Sequence, residues 1–163
     1  MKSLLIIRHA KSTWDNPLIK DFDRPLNDRG HRDAPLMAGR LKEKGVQIDA
    51  FVSSTANRAF TTASYFAKTY GVKKEAIIEK PELYHASVNT FFRVISSLDN
   101  QYNTIALFSH NPGITELANI LTDAKIDNMP TCAVFAVKAS IDSWAAFEAS
   151  TKDFWFFDYP KNG

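Results

Sequence analysis

The sequence predicts an α/β chain: a three-layer α/β/α sandwich around a mostly parallel central sheet. Two observations carry that expectation. Short aliphatic runs of strand length alternate with longer segments of helical periodicity, and three of those runs end in polar residues capable of chemistry. The first run, Leu4-Leu5-Ile6-Ile7, is unbroken, the pattern of a strand buried on both faces of a parallel sheet. It passes directly into Arg8-His9-Ala10-Lys11-Ser12. Residues 14–29 are rich in Asp, Asn and Pro and read as a loop. In the helix that follows, Asp33 fits the N-cap and Pro35 the first turn. That helix directs Leu36, Met37 and Leu41 to a core and stops at Gly45.

Phe51-Val52 makes a second strand, leading into Ser53-Ser54-Thr55. The next helix covers 57–70, buries Ala59, Ala63, Phe66 and Ala67, and stops at Gly71. Ile77-Ile78 marks a third strand and 81–86 a loop, after which Ser87 caps a helix carrying Phe91, Val94, Ile95 and Leu98. A fourth strand over 104–108 leads into Ser109-His110-Asn111-Pro112-Gly113, then a helix through Leu117, Ile120 and Leu121. Strands over 132–137 and 154–157 complete the chain, the last as an edge. With no internal repeat, low-complexity tract or linker, residues 1–163 read as one domain.

Composition narrows the function classes. A formal net charge of +2 gives no bulk electrostatic case for nucleic acid or membrane, so any anion site must be a local cluster of basic residues. A single cysteine, Cys132, excludes an intramolecular disulfide and a cysteine-rich metal site; in its apolar run it reads as a small buried hydrophobe. The apolar run after Met1-Lys2 is too short for a leader and is cut off by Arg8, His9 and Lys11. No other run approaches membrane-spanning length, so a cytoplasmic location is expected. Neither a G-x-G-x-x-G nor a G-x-x-x-x-G-K-[ST] loop follows any predicted strand, which disfavours nucleotide binding.

Three polar clusters remain: Arg8-His9, Ser53-Ser54 with Arg58, and Ser109-His110. Taken singly each is unremarkable: a surface ion-pair partner, a solvated helix arginine, a turn-ordering histidine. If their strands are parallel neighbours, the C-terminal ends converge on one sheet edge and gather two arginines and two histidines in one crevice. Guanidiniums grip phosphoryl oxygens bidentately, and neutral imidazole is a competent nucleophile toward phosphorus near neutral pH.

These clusters resemble the motifs of a known family. Leu-Ile-Ile-Arg-His-Ala resembles the RHG signature of the histidine phosphatase superfamily, with Ala10 where Gly is usual. Residues 53–63 are similar to its S-x-x-x-R-A-x-x-T-A motif, and 109–113 to the motif that supplies a second histidine; 23–30 also looks similar. The resemblance implies a phosphoglycerate mutase-like fold and a phosphohistidine intermediate on His9. Arg8, Arg58 and His110 would surround the phosphoryl oxygens, with no metal or cofactor. The arginines should also keep His9 unprotonated by like-charge repulsion. Ser12 and Asn16 are candidates for further phosphate hydrogen bonds, with loop roles equally open; Lys11 stands to add charge at the pocket mouth, and His31 reads as structural or exposed.

Members of that family that cleave esters carry an acid after the third strand to protonate the departing oxygen. Here the stretch reads Glu82-Leu83-Tyr84-His85-Ala86, so His85 and Glu82 are the candidate general acids. A phosphohistidine substrate relaxes that need, because its distal ring nitrogen takes a proton from solvent and imidazole leaves neutral. The short connection after Ala86 leaves little material there for a lid. In these respects the chain resembles the SixA-type phosphohistidine phosphatases, which implies a phosphohistidine-bearing partner such as a phosphorelay or phosphocarrier protein. The alternatives are a phosphatase of small phosphate esters or anhydrides, and a non-catalytic phosphate-binding module.

Overall fold

Alternation of side chains along single strands decides the layering. In the computed structural model, which describes residues 1–162, β1 runs Lys2–Arg8 and its core residues divide between two hydrophobic clusters. Leu4 and Ile6 join one cluster, while Leu5 and Ile7 join the other, as a pleat of period two requires. β4 (Thr104–Ser109) divides the same way: Ile105 and Leu107 on one side, Ala106 and Phe108 on the other. The remaining strands are β2 (Ala50–Ser53), β3 (Ile78–Glu79), β5 (Val134–Ala139) and β6 (Asp153–Asp158). All six form one sheet in the order β3-β2-β4-β1-β5-β6. The first four are parallel, and β5 and β6 are added antiparallel, so the sheet is mostly parallel with β6 at an edge.

Helices cover both faces. α1 (Asp28–Glu43) and α2 (Asn57–Thr69) supply Met37, Leu41, Phe66 and Ala67 to the cluster beneath Leu5 and Ile7. α3 (Val88–Ser96) and α4 (Gly113–Leu121) supply Phe91, Ile95, Leu117 and Leu121 to the cluster on the Leu4 and Ile6 side. Each fully buried aliphatic side chain contributes about 1.5–3 kcal/mol. The predicted three-layer sandwich is therefore formed.

Several local expectations are corrected. α1 begins earlier than predicted: Asn27, not Asp33, is its N-cap, accepting a 2.9 Å bond from the Gly30 N–H. Asp33 lies within the helix, paired with Arg29 at 3.3 Å, and Pro35 is in the helix interior. The buried series Gly30, Ala34, Met37, Ala38 and Leu41 keeps helical spacing across the proline, so burial outweighs the one hydrogen bond that Pro35 cannot donate. Leu36 falls on the opposite face and is exposed, as is Ile120 on α4. β5 starts at Val134, because Cys132 adopts a left-handed conformation (φ 62°) and turns the chain before it. Lys2 sits buried at the start of β1, donating to the Asn100 and Tyr102 carbonyls and to Asn103 Oδ1.

Two glycines are required by close approach. A Cβ on Gly30 would lie 2.2 Å from the Lys11 carbonyl oxygen, and one on Gly113 2.2 Å from that of Ala86. Both contacts press a helix start against a loop that follows a strand. Gly30→Ala and Gly113→Ala should each destabilise the protein by about 1–3 kcal/mol, because backbone must move to admit one methyl group. Urea unfolding midpoints measure this, and an unchanged midpoint would contradict the close approach.

Candidate active site

Register brings the three polar clusters together. β4 lies between β1 and β2, with Arg8 opposite Ser109 and Ser53 opposite Phe108. The residues that follow these strands therefore emerge side by side at one sheet edge. A cavity of about 470 Å³ opens there, and its lining includes Arg8, His9, Arg58 and His110, together with Lys11, Ser12, Arg24 and His85.

His9 is held from several sides. Its backbone N–H donates to the Ser109 carbonyl (3.2 Å), and the Cys132 N–H donates to both the Arg8 and His9 carbonyls (3.1 and 3.0 Å). Ala10 N–H donates to Thr62 Oγ1 (2.9 Å), which itself donates to the Arg58 carbonyl (2.8 Å), tying the strand end to α2. The ring's Nδ1 lies 2.7 Å from the Ala10 carbonyl oxygen. A carbonyl only accepts, so Nδ1 carries the proton and Nε2 keeps its lone pair. Burial is the main cause that lowers the His9 pKa, to about 3, with Arg58, Arg8 and Arg24 adding repulsion. The arginines thus act in the expected direction, but desolvation is the larger effect.

His110 stands against His9, with ring centroids 5.2 Å apart. Its Nε2 meets Ser54 Oγ at 2.8 Å, and that oxygen also accepts the Ala56 N–H. Burial first, then the neighbouring His9 and Arg58, lower its pKa to about 2. Arg8 donates through Nη1 to the Met129 carbonyl (2.9 Å). Arg58 donates through Nη1 to the Asp21 carbonyl (2.6 Å) and through Nη2 to Asp21 Oδ2 (3.0 Å). After these bonds, Arg8 Nε, Arg58 Nε and His110 Nδ1 are buried and unpartnered, the three such side-chain atoms among the described residues. Each unsatisfied group costs about 1–3 kcal/mol, and all three belong to residues lining one cavity. An anion in the cavity would meet the guanidinium groups of Arg8, Arg24 and Arg58 that line it.

Residues 4–91 match the family model of the histidine phosphatase superfamily, branch 1. The chain belongs to this superfamily. An uncharacterised chloroplastic protein of Arabidopsis thaliana is 30% identical to it over 163 residues, covering 94% of this chain and 74% of its own. Among solved structures, the protein histidine phosphatase SixA, complexed with tungstate, superposes with a TM-score of 0.82 at 24% identity, covering 98% of both chains. A mycobacterial glucosyl-3-phosphoglycerate phosphatase superposes with a TM-score of 0.67 at 13% identity, again over 98% of both. At those identities the likeness is one of fold, and it agrees with the phosphoglycerate mutase-like architecture that the superfamily implies.

Not every residue singled out in the sequence reaches the cavity. Asn16 is exposed on a turn, where its Oδ1 accepts the Leu18 N–H at 3.0 Å, so it builds the loop and does not line the cavity. Glu82 is exposed in the short 3-10 turn Pro81–Leu83 and is also absent from the lining. His85 does line it, with φ 56° and its ring centroid 3.9 Å from that of Tyr84, the planes tilted by 37°. Ser12 lines the cavity while bridging to Leu26, and His31 pairs on the surface with the Tyr65 hydroxyl.

Sequence reasoning missed Asp21 and Arg24. Asp21 accepts from Arg58, from the Tyr84 hydroxyl (2.5 Å) and from Arg24 Nε (3.2 Å). Burial opposes its ionisation, but the hydrogen bonds from Tyr84 and Arg58 and the two arginine charges outweigh it and hold its pKa at about 2. Arg24 is buried, and its guanidinium lies 3.4 Å over the Trp14 ring. The Asp21–Arg24 spacing within a loop was the readable signal.

The depressed histidines give stability a definite pH dependence. His9 and His110 are neutral in the fold but titrate near 6.5 when unfolded, so unfolding takes up protons between pH 6.5 and about 3. Stability must fall as pH drops through that window, by up to about 1.4 kcal/mol per pH unit for each histidine. His9→Gln should remove one histidine's share of the slope between pH 6 and 4.5. Denaturant unfolding at stepped pH checks it; parallel wild-type and variant curves would refute the assignment.

Proposed function

We propose that this protein is a metal-independent phosphatase acting through a phosphohistidine intermediate on His9, its preferred substrate being a phosphohistidine on another protein. The observation that carries the reading is the His9 Nε2 lone pair, set by the Ala10 carbonyl, in a cavity lined by the guanidiniums of Arg8, Arg24 and Arg58. His9 Nε2 attacks phosphorus while Arg8, Arg58 and His110 bind the phosphoryl oxygens, and the bond to the leaving nitrogen breaks. Water then attacks the phosphohistidine, the P–Nε2 bond breaks, and inorganic phosphate leaves. The positive charge that phosphoryl transfer needs comes from the guanidiniums of Arg8, Arg24 and Arg58. Asp21 keeps Arg58 and Arg24 in place without being available as an acid, since its carboxyl is held ionised.

The leaving group decides the substrate class. Of the two candidate acids, Glu82 lies outside the cavity lining. A phosphohistidine needs no enzyme acid, because its distal ring nitrogen is protonated from solvent. The second reading, a phosphatase of small phosphate esters or anhydrides, is favoured by one observation: His85 lines the cavity and is a potential proton donor.

Hydrolysis of a phosphohistidine peptide and of an alkyl phosphate ester separates the readings. The wild type should prefer the phosphohistidine by about tenfold or more, and His9→Ala should lose activity by roughly 10³-fold or more. His85→Gln should leave phosphohistidine hydrolysis within about threefold. A preferred ester whose hydrolysis falls ~10²–10⁴-fold in His85→Gln would establish the second reading. Phosphate binding without turnover of either substrate would make the chain a binding module.

A further inference from the structure

The cavity has a second feature that phosphoryl chemistry does not use. Residues 13–25 leave the sheet edge and return as a loop closed at its base by the Ser12–Leu26 bridge and by the Thr13 N–H to Pro25 carbonyl bond (3.0 Å). One flank of this loop supplies Asp21 and Arg24 to the cavity, and Trp14 lines the same cavity. Beside the exposed Asp15, Asn16, Lys20 and Asp23, it presents three large apolar side chains to solvent. Trp14 is 72% exposed, Leu18 91% and Phe22 38%. The other large exposed hydrophobics among the described residues are Met1, Leu36, Ile120 and Phe154, which lie apart in the sequence. Single exposed apolar residues are ordinary, whereas three on one short loop beside a reactive pocket are not.

The loop also presents them in fixed positions. Asn16 makes a tight turn, its Oδ1 accepting the Leu18 N–H (3.0 Å) and its carbonyl the Ile19 N–H (3.2 Å), which leaves Leu18 at the tip. Trp14 is held against the Arg24 guanidinium, and Phe22 packs edge-on against Tyr84 at 5.2 Å. Lys11 adds positive charge in the cavity wall, while the loop itself exposes both Lys20 and the carboxylates Asp15 and Asp23.

We infer that the rim formed by Trp14, Leu18 and Phe22 is a docking surface for a polypeptide that carries an apolar side chain close to its phosphorylated residue. The inference rests on the phosphatase reading above and narrows its substrate class. Charge complementarity selects this occupant: the anionic phosphoryl group enters the arginine-lined cavity, and the chain flanking it passes over the apolar rim. A small phosphorylated metabolite would fill the cavity and leave Leu18 uncovered.

The test uses the full chain and two phosphohistidine peptides, one flanked by leucine and phenylalanine, the other by glycine and serine. The wild type should hydrolyse the apolar peptide with about tenfold higher kcat/KM, carried by KM, as partial burial of one or two side chains provides. In Leu18→Ser the two peptides should converge to within about twofold. Equal efficiencies in the wild type, or a preference that survives Leu18→Ser, would overturn the docking surface. If neither phosphohistidine peptide is hydrolysed, the phosphohistidine reading fails separately. Affinities of the same two sequences carrying phosphoserine, measured by calorimetry, then decide the docking surface by the same criterion. A dimer that Leu18→Ser dissolves would assign the rim to a second copy of this chain and overturn the proposal.

Discussion

The parallel pairing of β1 with β4 is the constraint on which the rest of the site depends. With Arg8 opposite Ser109, the next residue on each strand is a histidine, and the two rings come within 5.2 Å between centroids. A slip of one residue would separate the rings and also move every side chain of β1 to the wrong face. Leu4 and Ile6 would then point at α1 and α2, and Leu5 and Ile7 at α3 and α4. The hydrophobic core therefore enforces the geometry of the polar edge, and backbone groups of the core residues Ala10, Met129 and Cys132 hold Arg8 and His9 there.

That polar edge is assembled against an electrostatic cost. Three arginines line one cavity, and a single carboxylate, Asp21, bonds two of them. His9 and His110 meet that cost by remaining neutral, driven mainly by burial. The buried, unpartnered ring and guanidinium nitrogens of Arg8, Arg58 and His110 are the remaining imbalance. Stability is given up at the same place where the proposed reaction would gain binding and transition-state stabilisation.

Much of this was legible in the amino-acid order because it is local. An aliphatic run ending in Arg8-His9 states its own strand and its own reactive end, and the same holds for Ser109-His110. Arg58 was legible because it opens a helix that directly follows a strand. The start of α1 was misplaced because Pro35 suggested a first turn, whereas the buried stripe from Gly30 to Leu41 carries the helix across the proline. Asn16 and Glu82 carry suitable chemistry, but a turn hydrogen bond places one and a 3-10 turn the other outside the cavity lining. Asp21 escaped notice because its partners, Arg58 and Tyr84, are distant in sequence and meet it only through folding.

The sequence by itself determined the alternating α/β architecture and the family, and it pointed to Arg8, His9, Arg58 and His110, the four residues that the fold brings to one cavity. Only the tertiary structure decided which nitrogen of His9 is free, how Asp21 holds the arginines, which candidate acid reaches the cavity, and where the apolar rim lies. The physical reason is the same in each case. Hydrogen-bond partnership, desolvation and exposure depend on distances between segments far apart in the chain, and only the packed core sets those distances.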